Sequence, residues 1–260
     1  MDIFEEIRDR KKAGQPFVLA TIITTAGASP RAPGARMLVF PDGKISGTIG
    51  GGAFEKLVID DCLQLLKTGN KHLFKRYSFT ETGADATGMS CGGEAEVFME
   101  ASAKLKRLII FGGGHICRDL VKLARGSDFS ITVVDSRPEI LSEYNSPVTT
   151  VQTDSGYQEN FPALDGDSYI VIVTHSHKAD RPVLERVLKE KCAYVGMIGS
   201  KNKVAEMHAA LEKSGLDRKL LETVHAPIGL DIKSEGPYEI AVSIMAELIA
   251  VKNGMARRSR

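Results

Sequence analysis

A short apolar run that leads into three consecutive glycines is the feature that most constrains the fold of this chain. Residues 107–111, Arg-Leu-Ile-Ile-Phe, have the composition of a buried strand, and Gly112, Gly113 and Gly114 follow directly. From Ile116 onward, apolar residues recur at the spacing of a helix. A strand, a glycine turn and a helix in this order are typical of a parallel sheet whose turn amides bind a phosphate. The alternative is a glycine turn that serves packing alone.

An acidic residue stands where a dinucleotide-binding turn needs one. The next predicted strand, residues 130–135, ends in Asp135, about 20 residues after the turn, at the position of a carboxylate that binds a ribose hydroxyl. Arg137 follows within reach of a phosphate, and His115 directly follows the glycines. Cys117 stands where the stricter pattern has Gly or Ala, so we expect the helix to lie slightly farther from the sheet.

The rest of the second half alternates β-rich apolar runs with helical patterns, which predicts a doubly wound, Rossmann-like parallel sheet over residues 104–260. Further strands are predicted at residues 169–173 and 193–196, and helices at 181–189, 202–213 and 237–253.

Three polar segments follow predicted strands of this sheet and should share its carboxyl edge, where open α/β folds bind ligands. The first contains His175 and His177, which an extended strand would place on one face as acid/base groups, metal ligands or structural histidines. In the second, Ser200 and Lys201 offer an anion site at a helix start, or simply a helix cap and a surface charge. The third begins at His225.

The first half has several predicted strands and only one predicted helix, and this pattern predicts a mixed α+β domain over residues 1–103, with the boundary near residues 101–106. Strands are predicted at residues 17–25, 36–40, 45–49, 72–79 and 94–100, and a helix at 53–67.

Three glycine- or proline-rich segments of this half are candidates for ligand contact. Arg31 and Arg36 lie in a rigid Pro-Gly turn that suits an oxyanion, unless they are only exposed arginines. The turn Gly50, Gly51 and Gly52 precedes the predicted helix, whose first amides are an anion site. In the third segment Cys91 and Gly92 lie in a long glycine-rich loop, where the thiol is either exposed to a ligand or simply buried.

Composition excludes several classes of protein. The 34 lysine and arginine residues nearly balance 33 aspartate and glutamate residues, for a net charge of +1, which argues against a nucleic-acid-binding surface. No apolar run is long enough to cross a bilayer. The acidic N-terminus lacks a signal core and the four cysteines are scattered, so we expect a cytoplasmic protein with free thiols and no disulfide framework.

Taken together, the motifs resemble the XdhC/CoxI family of accessory factors for xanthine dehydrogenase and related molybdenum hydroxylases. The first-half motifs are Ser-Pro-Arg-x-Pro-Gly-Ala-Arg-Met at residues 29–37, Gly-x-Ile-Gly-Gly-Gly at 47–52 and Ser-Cys-Gly-Gly at 90–93. The second half adds Phe-Gly-Gly-Gly-His at 111–115, Val-Val-Asp-Ser-Arg at 133–137 and Gly-Met-Ile-Gly-Ser-Lys at 196–201. Six motifs in one order are far more specific than any one of them.

The resemblance implies a chaperone-like protein, rather than an enzyme with its own turnover, that binds molybdenum cofactor, supports its sulfuration and delivers it to the apo-hydroxylase. The resemblance also implies a separate cysteine desulfurase as the source of the sulfur. Some relatives have a cysteine after the triple glycine, where this chain has Ala53, so that role does not transfer. Cys91 matches its motif as a cofactor contact, sulfur relay or transient molybdenum ligand. A homodimer is the expected oligomer.

A different class of function is an NAD(P)-dependent oxidoreductase that uses the glycine turn and Asp135, with His175 or His177 as acid/base. A nucleotide-binding module without catalysis is a third hypothesis. The complete set of candidate binding residues is Arg31, Arg36, Gly50, Gly51, Gly52, Cys91, Gly92, Gly112, Gly113, Gly114, His115, Asp135, Arg137, His175, Ser200 and Lys201.

Overall fold

The computed structural model describes residues 2–80, 87, 92–102 and 105–255, with Lys12 and His177 described by their main chain only. Within the chain, contacts divide the residues into two compact units, Met1–Leu105 and Lys106–Arg260. Among the residues just given, each unit has its own sheet of five strands.

The sheet of the first unit is antiparallel, with strand order β3-β2-β1-β5-β4. Its elements are α1 (Ile3–Lys12), β1 (Phe17–Ala26), β2 (Arg36–Val39), β3 (Ile45–Gly47), α2 (Gly52–Thr68), β4 (His72–Ser78) and β5 (Glu94–Ser102). Phe54, Val58, Cys62 and Leu65 recur on one face of α2 and are buried against the sheet. Helix α1 packs a smaller cluster around Phe17. The sheet therefore lies between two helices, and the glycine turn at 50–52 joins its edge strand β3 to α2.

The second unit has a parallel sheet with strand order β10-β9-β6-β7-β8. Its strands are β6 (Lys106–Phe111), β7 (Phe129–Asp135), β8 (Thr149–Gln152), β9 (Ser168–Ile172) and β10 (Tyr194–Met197). Its helices are α3 (His115–Ala124), α4 (Pro138–Leu141), α5 (His177–Val187), α6 (Lys201–Lys213), α7 (Arg218–Glu222) and α8 (Gly236–Lys252).

This strand order confirms the Rossmann-like fold. The chain moves outward from β6 to β8 and then returns to β9 on the other side of β6, so the crossover direction reverses between β6 and β9. In open α/β sheets, ligands bind in the crevice at this reversal. Leu108 and Ile110 face one apolar cluster, with α3 and α8, while Ile109 and Phe111 face the other, with α5 and α6. Both faces of β6 are buried, which explains its uninterrupted apolar sequence.

The structure places α1, α4, β8 and α7 where the sequence analysis predicts no element. It also corrects the extended strand predicted to carry both histidines. Strand β9 ends at Ile172, whereas His177 is the first residue of α5. The Ser176 side chain accepts a hydrogen bond from the Ala179 amide and caps that helix, so the chain turns between the two histidines.

Candidate functional site

The turn at Gly112 brings the carboxyl ends of β6 and β9 together. Gly112 has φ +105°, and a Cβ atom built on it would lie 2.3 Å from the Val173 carbonyl oxygen. Only glycine fits this approach, because both the left-handed backbone and the rigid main-chain neighbour exclude a side chain. By contrast, a Cβ on Gly114 would meet nothing within 4 Å. The turn is thus tight at its first glycine and open at its third, where α3 begins.

Asp135 is fully buried and holds the glycine turn from the neighbouring strand. Its Oδ2 accepts a hydrogen bond from the Gly113 amide at 2.7 Å. The Arg137 guanidinium spans both carboxylate oxygens, with Nε 2.9 Å from Oδ1 and a terminal nitrogen 2.9 Å from Oδ2. Burial raises the pKa of Asp135, but the hydrogen bonds from Arg137 and Gly113 outweigh it and hold the pKa below its usual value. Asp135 is therefore ionised, and both of its oxygens have partners within the chain.

The residues around the start of α3 differ in accessibility. His115 is exposed, whereas Cys117 is buried, and burial raises the pKa of its thiol to about 12. Tyr144 donates a hydrogen bond to the Gly113 carbonyl at 2.7 Å and, with Ile140, packs beside the turn. Cys117 is therefore a packing residue under the turn, and His115 is the side chain that a ligand at this helix start would meet.

Near the carboxyl end of the central strand β6, the buried hydroxyl of Tyr157 lacks a hydrogen-bond partner within the described residues. Tyr157 is fully buried, and its ring packs edge-on against Phe111. Its hydroxyl has no hydrogen-bond partner among the residues that the structure describes. Its backbone is also left-handed, with φ +56°, which is uncommon for a bulky residue. An unsatisfied buried hydroxyl costs free energy, so this position fits a bound water molecule or a polar ligand group.

At the end of β9 the polar side chains mostly stabilise the loop itself. The buried Asp180 accepts hydrogen bonds from the Thr174 hydroxyl at 2.6 Å and the Thr174 amide at 3.3 Å. His175 is exposed at the bend between them. Asp180 positions the loop, and His175 is the group presented to solvent.

The end of β10 carries a cavity of about 350 Å³ between α5 and α6. Ser200 caps α6 by accepting a hydrogen bond from the Lys203 amide, and Lys201 is exposed. The cavity floor includes Met197, Ile198, Val204 and Met207, and its rim includes Lys178, Arg181, Lys203 and Glu206. Three cations and one carboxylate around an apolar floor are suited to an anionic ligand with a flat apolar part.

In the first unit, close packing brings the described parts of the three predicted motifs, which for the third are Gly92 and Gly93, to one end of the sheet. A Cβ on Gly50 would lie 2.4 Å from Pro30 Cβ, and one on Gly93 would lie 2.0 Å from the Ala28 carbonyl oxygen. Gly27 makes a similar approach to Gly92. The loop after β1 is thus packed between the turn at 50–52 and the turn at 92–93, and glycine at these contacts allows the approach.

The predicted anion site at the second turn holds a carboxylate from its own helix. Glu55 Oε2 accepts hydrogen bonds from the Thr48 hydroxyl at 2.5 Å, the Ile49 amide at 3.1 Å and the Gly51 amide at 3.2 Å. A negative charge in the first turn of a helix is favourable, and this arrangement resembles a capping box. The cradle therefore suits an oxyanion, and Glu55 supplies one.

The two arginines of the first motif have different surroundings. Arg31 is exposed, and Arg36 is half-buried with its guanidinium 5.1 Å from the ring centre of Phe4. Arg31 is therefore accessible to a ligand, whereas Arg36 lies beside Phe4 of α1. Cys91 lies outside the described residues, and Gly92 next to it is exposed with φ +72°.

A buried polar cluster in the second unit joins His225, which the sequence places after a strand, to two residues that the sequence does not indicate as site residues, Tyr194 and Glu247. His225 Nδ1 lies 3.0 Å from Glu247 Oε1, and the Tyr194 hydroxyl donates a hydrogen bond to Glu247 Oε2 at 2.7 Å. One signal was available, because Glu247 interrupts the apolar pattern of α8 at a position that faces the core.

Within the described residues, no group of three or more His, Cys, Asp or Glu side chains is arranged to hold a metal ion. None of the helices there is long and apolar enough to cross a membrane.

Comparisons with known proteins match both halves of the chain. Residues 108–248 match the XdhC Rossmann domain, and residues 11–78 match the XdhC and CoxI family. A solved structure from Bacillus halodurans, described as a xanthine dehydrogenase, is 22% identical over the whole of this chain and 98% of its own, with a TM-score of 0.55. At that identity the likeness concerns the fold alone.

Three curated relatives have higher or comparable identity. An uncharacterized Escherichia coli protein, YqeB, is 36% identical over 97% of this chain, and a Bacillus subtilis protein, described as a probable xanthine dehydrogenase subunit, is 28% identical over 62%. This chain covers 47% of each of those two proteins, about half their length. The molybdenum cofactor insertion chaperone PaoD of Escherichia coli is 24% identical over 92% of this chain and 85% of its own length. Because the family match to the second unit alone spans more than half of the 260 residues, the chain is a member of the XdhC/CoxI family.

Proposed function

We propose that this protein is an accessory factor that binds molybdenum cofactor, supports its sulfuration and delivers it to a xanthine dehydrogenase-type molybdenum hydroxylase. The observation that carries the proposal is the similarity to a molybdenum cofactor insertion chaperone, which extends over 92% of this chain and therefore includes both units. A cysteine desulfurase as sulfur donor, an apo-hydroxylase as acceptor and a homodimeric state belong to the same proposal.

The first unit supplies an anion cradle for the phosphate-bearing cargo. The amides of Ile49 and Gly51 already bind one carboxylate, that of Glu55, so their geometry suits an oxyanion. The exposed Arg31 lies next to Pro30, which packs on Gly50. In this proposal a phosphate oxygen takes the position of the Glu55 carboxylate, and Arg31 offsets the added charge.

Cys91 is proposed as the cofactor contact or sulfur relay of the first unit. A thiolate is a soft ligand suited to a transient molybdenum contact. The cysteines of α2 and α3, Cys62 and Cys117, are fully buried, and burial raises the pKa of each thiol to about 12. Neither is suited to sulfur chemistry at neutral pH.

The second unit offers a separate place for an anionic part of the cargo. The rim cations Lys178, Arg181 and Lys203 surround an apolar floor of a size suited to a flat ring. His175, Ser200 and Lys201 follow the same strand ends and are proposed to contact this ligand.

Native mass spectrometry of protein purified without oxygen tests the proposal, because mass separates pterin from nicotinamide ligands. We expect a bound molybdopterin species that transfers to an apo-hydroxylase and activates it after treatment with a cysteine desulfurase. Cys91→Ser should bind cofactor but fail to transfer its sulfurated form. Cys192→Ser is the matched control, since Cys192 is a partly buried thiol of the second unit. Absence of pterin binding would refute the proposed function, and normal sulfur transfer by Cys91→Ser would refute the role of that thiol.

The second candidate, an NAD(P)-dependent oxidoreductase or nucleotide-binding module, rests on the turn at Gly112 and the buried Asp135. A nucleotide ribose would have to displace the Arg137 guanidinium from that carboxylate. Titration with NAD(H) and NADP(H) separates the two proposals, because saturable binding that weakens in Asp135→Asn would favour the nucleotide.

A further inference from the structure

A buried carboxylate in α8 anchors a histidine at the edge of the second sheet. Glu247 is 6% exposed and lies among apolar residues such as Ile244 and Leu248. A lone carboxylate in such surroundings is costly unless it is hydrogen-bonded. Residues that the proposed cofactor contacts leave unused supply those hydrogen bonds: Tyr194 on β10, and His225 and Gly229 in the segment that follows α7.

The carboxylate has a full set of partners. His225 Nδ1 lies 3.0 Å from Oε1, while the Tyr194 hydroxyl and the Gly229 amide donate to Oε2 at 2.7 and 2.8 Å. The imidazole also packs against the Tyr194 ring, with 4.5 Å between the ring centres. His225 is therefore held in both position and ring orientation.

Two glycines make room for this arrangement. A Cβ on Gly196 would lie 2.5 Å from the Tyr194 hydroxyl oxygen. A Cβ on Gly229, which has φ +93°, would lie 2.3 Å from Ser243 Oγ. Each glycine is thus required where a donor reaches Glu247, so the local sequence is fitted to the cluster.

The contacts fix which nitrogen of His225 carries its proton. Burial raises the pKa of Glu247, but hydrogen bonds from His225, Tyr194 and Gly229 lower it to about 2, so the side chain is an ionised acceptor. Nδ1 must therefore donate to Glu247. The lone pair of the neutral ring then lies on Nε2.

Nε2 is available for chemistry. The His225 side chain is 12% exposed, and Nε2 makes no hydrogen bond within the described part of the chain. His225 pairs with Gly196 along the outer side of β10, the edge strand of the sheet. The free nitrogen therefore belongs to a surface edge of the second unit.

We propose that His225 is a proton acceptor for a weakly acidic hydroxyl or thiol group of a ligand, with Glu247 as its positioning residue. The O–H or S–H bond breaks, an N–H bond forms at Nε2, and the proton stays on the imidazolium beside the Glu247 carboxylate. The ligand group becomes an alkoxide or a thiolate. Carboxylate–histidine pairs orient the imidazole and fix its tautomer in this way. This proposal does not depend on which cofactor the protein carries.

Long-range ¹H–¹⁵N correlation spectra of the ¹⁵N-labelled full chain at pH 8 test the protonation state directly. His225→Gln identifies the His225 signals among those of the six histidines. We expect a protonated Nδ1 and an unprotonated Nε2. Doubly protonated His225 at this pH would overturn the proposal, because the pair would then be a permanent structural ion pair. Protonation of Nε2 alone would overturn it too. The protonation state is read in the parent protein, and the His225→Gln variant serves only to assign the signals.

The reactivity of Nε2 is measured with diethyl pyrocarbonate, which acylates unprotonated imidazole, by mass spectrometry of the peptide that contains His225. We expect Glu247→Gln to react about 10-fold more slowly, the low end of the effect of losing such a partner. Glu190→Gln, which removes an exposed carboxylate of the same unit, is the matched control and should react like the parent protein. Equal rates in Glu247→Gln and the parent would refute the positioning role. Protection of His225 in the parent would refute its accessibility.

Discussion

Acidification should destabilise the second unit through Glu247, and Glu247→Gln should remove that part of the pH dependence. Glu247 is 6% exposed and accepts three hydrogen bonds, from His225, Tyr194 and Gly229. Burial raises its pKa, and these donors lower it further than burial raises it, to about 2 from an ordinary 4.5. The folded state therefore binds a proton at this side chain less readily than the unfolded state does.

The sign and size follow from linkage. A depressed carboxylate pKa adds stability that is complete well above pH 4.5 and is lost as the pH falls toward 2. At about 1.4 kcal/mol per pH unit, the whole contribution is about 3 kcal/mol, of which about 2 kcal/mol is lost by pH 3.

Urea denaturation at pH 7 and pH 3, followed by circular dichroism because the chain has no tryptophan, measures this loss. Urea-dependent amide exchange in α8 assigns the transition to the second unit. Between the two pH values, we expect the parent protein to lose about 2 kcal/mol more than Glu247→Gln does. An equal loss of unfolding free energy in both proteins would refute the reasoning, because other carboxylates would then account for the whole destabilisation at low pH.

Three further predictions concern the turns and the thiols. Gly112→Ala should lower the free energy of unfolding by about 3 kcal/mol or more, whereas Gly114→Ala, whose new methyl group points into open space, should lower it by less than about 1 kcal/mol. Equal effects in urea denaturation would contradict the close approach of Gly112 to the Val173 carbonyl. Glu55→Ala should destabilise the first unit by about 1–3 kcal/mol, because the turn amides lose the carboxylate that they bind. The same variant should bind inorganic phosphate more tightly in calorimetry, and an unchanged affinity would argue against an anion cradle. Cys62 and Cys117 should resist iodoacetamide at pH 7.5 until urea unfolds the chain, since burial raises both thiol pKa values to about 12; labelling of the folded protein, read by mass spectrometry, would contradict this.

The sequence predicts best those elements whose local residue pattern directly reflects how they are buried in the fold. Strand β6 is apolar at successive positions because both of its faces are buried, so composition alone identifies it. Helix α2 has a glycine turn before it and is capped after Thr68 by Gly69 in the left-handed conformation. Strand β8, by contrast, is a short edge strand with exposed residues, and nothing in its sequence separates it from a loop.

The candidate site divides in a similar way. Glycines mark where the chain must turn or approach another segment, so the turns at 50–52 and 112–114 are visible in the sequence, and their order indicates the family. The group that each turn contacts, however, comes from a segment that is distant in sequence. Gly113 meets Asp135 from the next strand, and Gly50 meets Pro30 from another loop.

Residue patterns alone predict a Rossmann-like second half, a glycine-rich first half and a resemblance to the XdhC/CoxI family, because strand periodicity and turn chemistry are local properties. The partners of the charged groups, by contrast, depend on how the chain packs: Glu55 occupies the first anion cradle, Arg137 covers Asp135, and Glu247 orients His225. The physical reason is that a buried charge must find donors wherever the fold brings them, and those donors can be as distant along the chain as Tyr194 is from Glu247, 53 positions away.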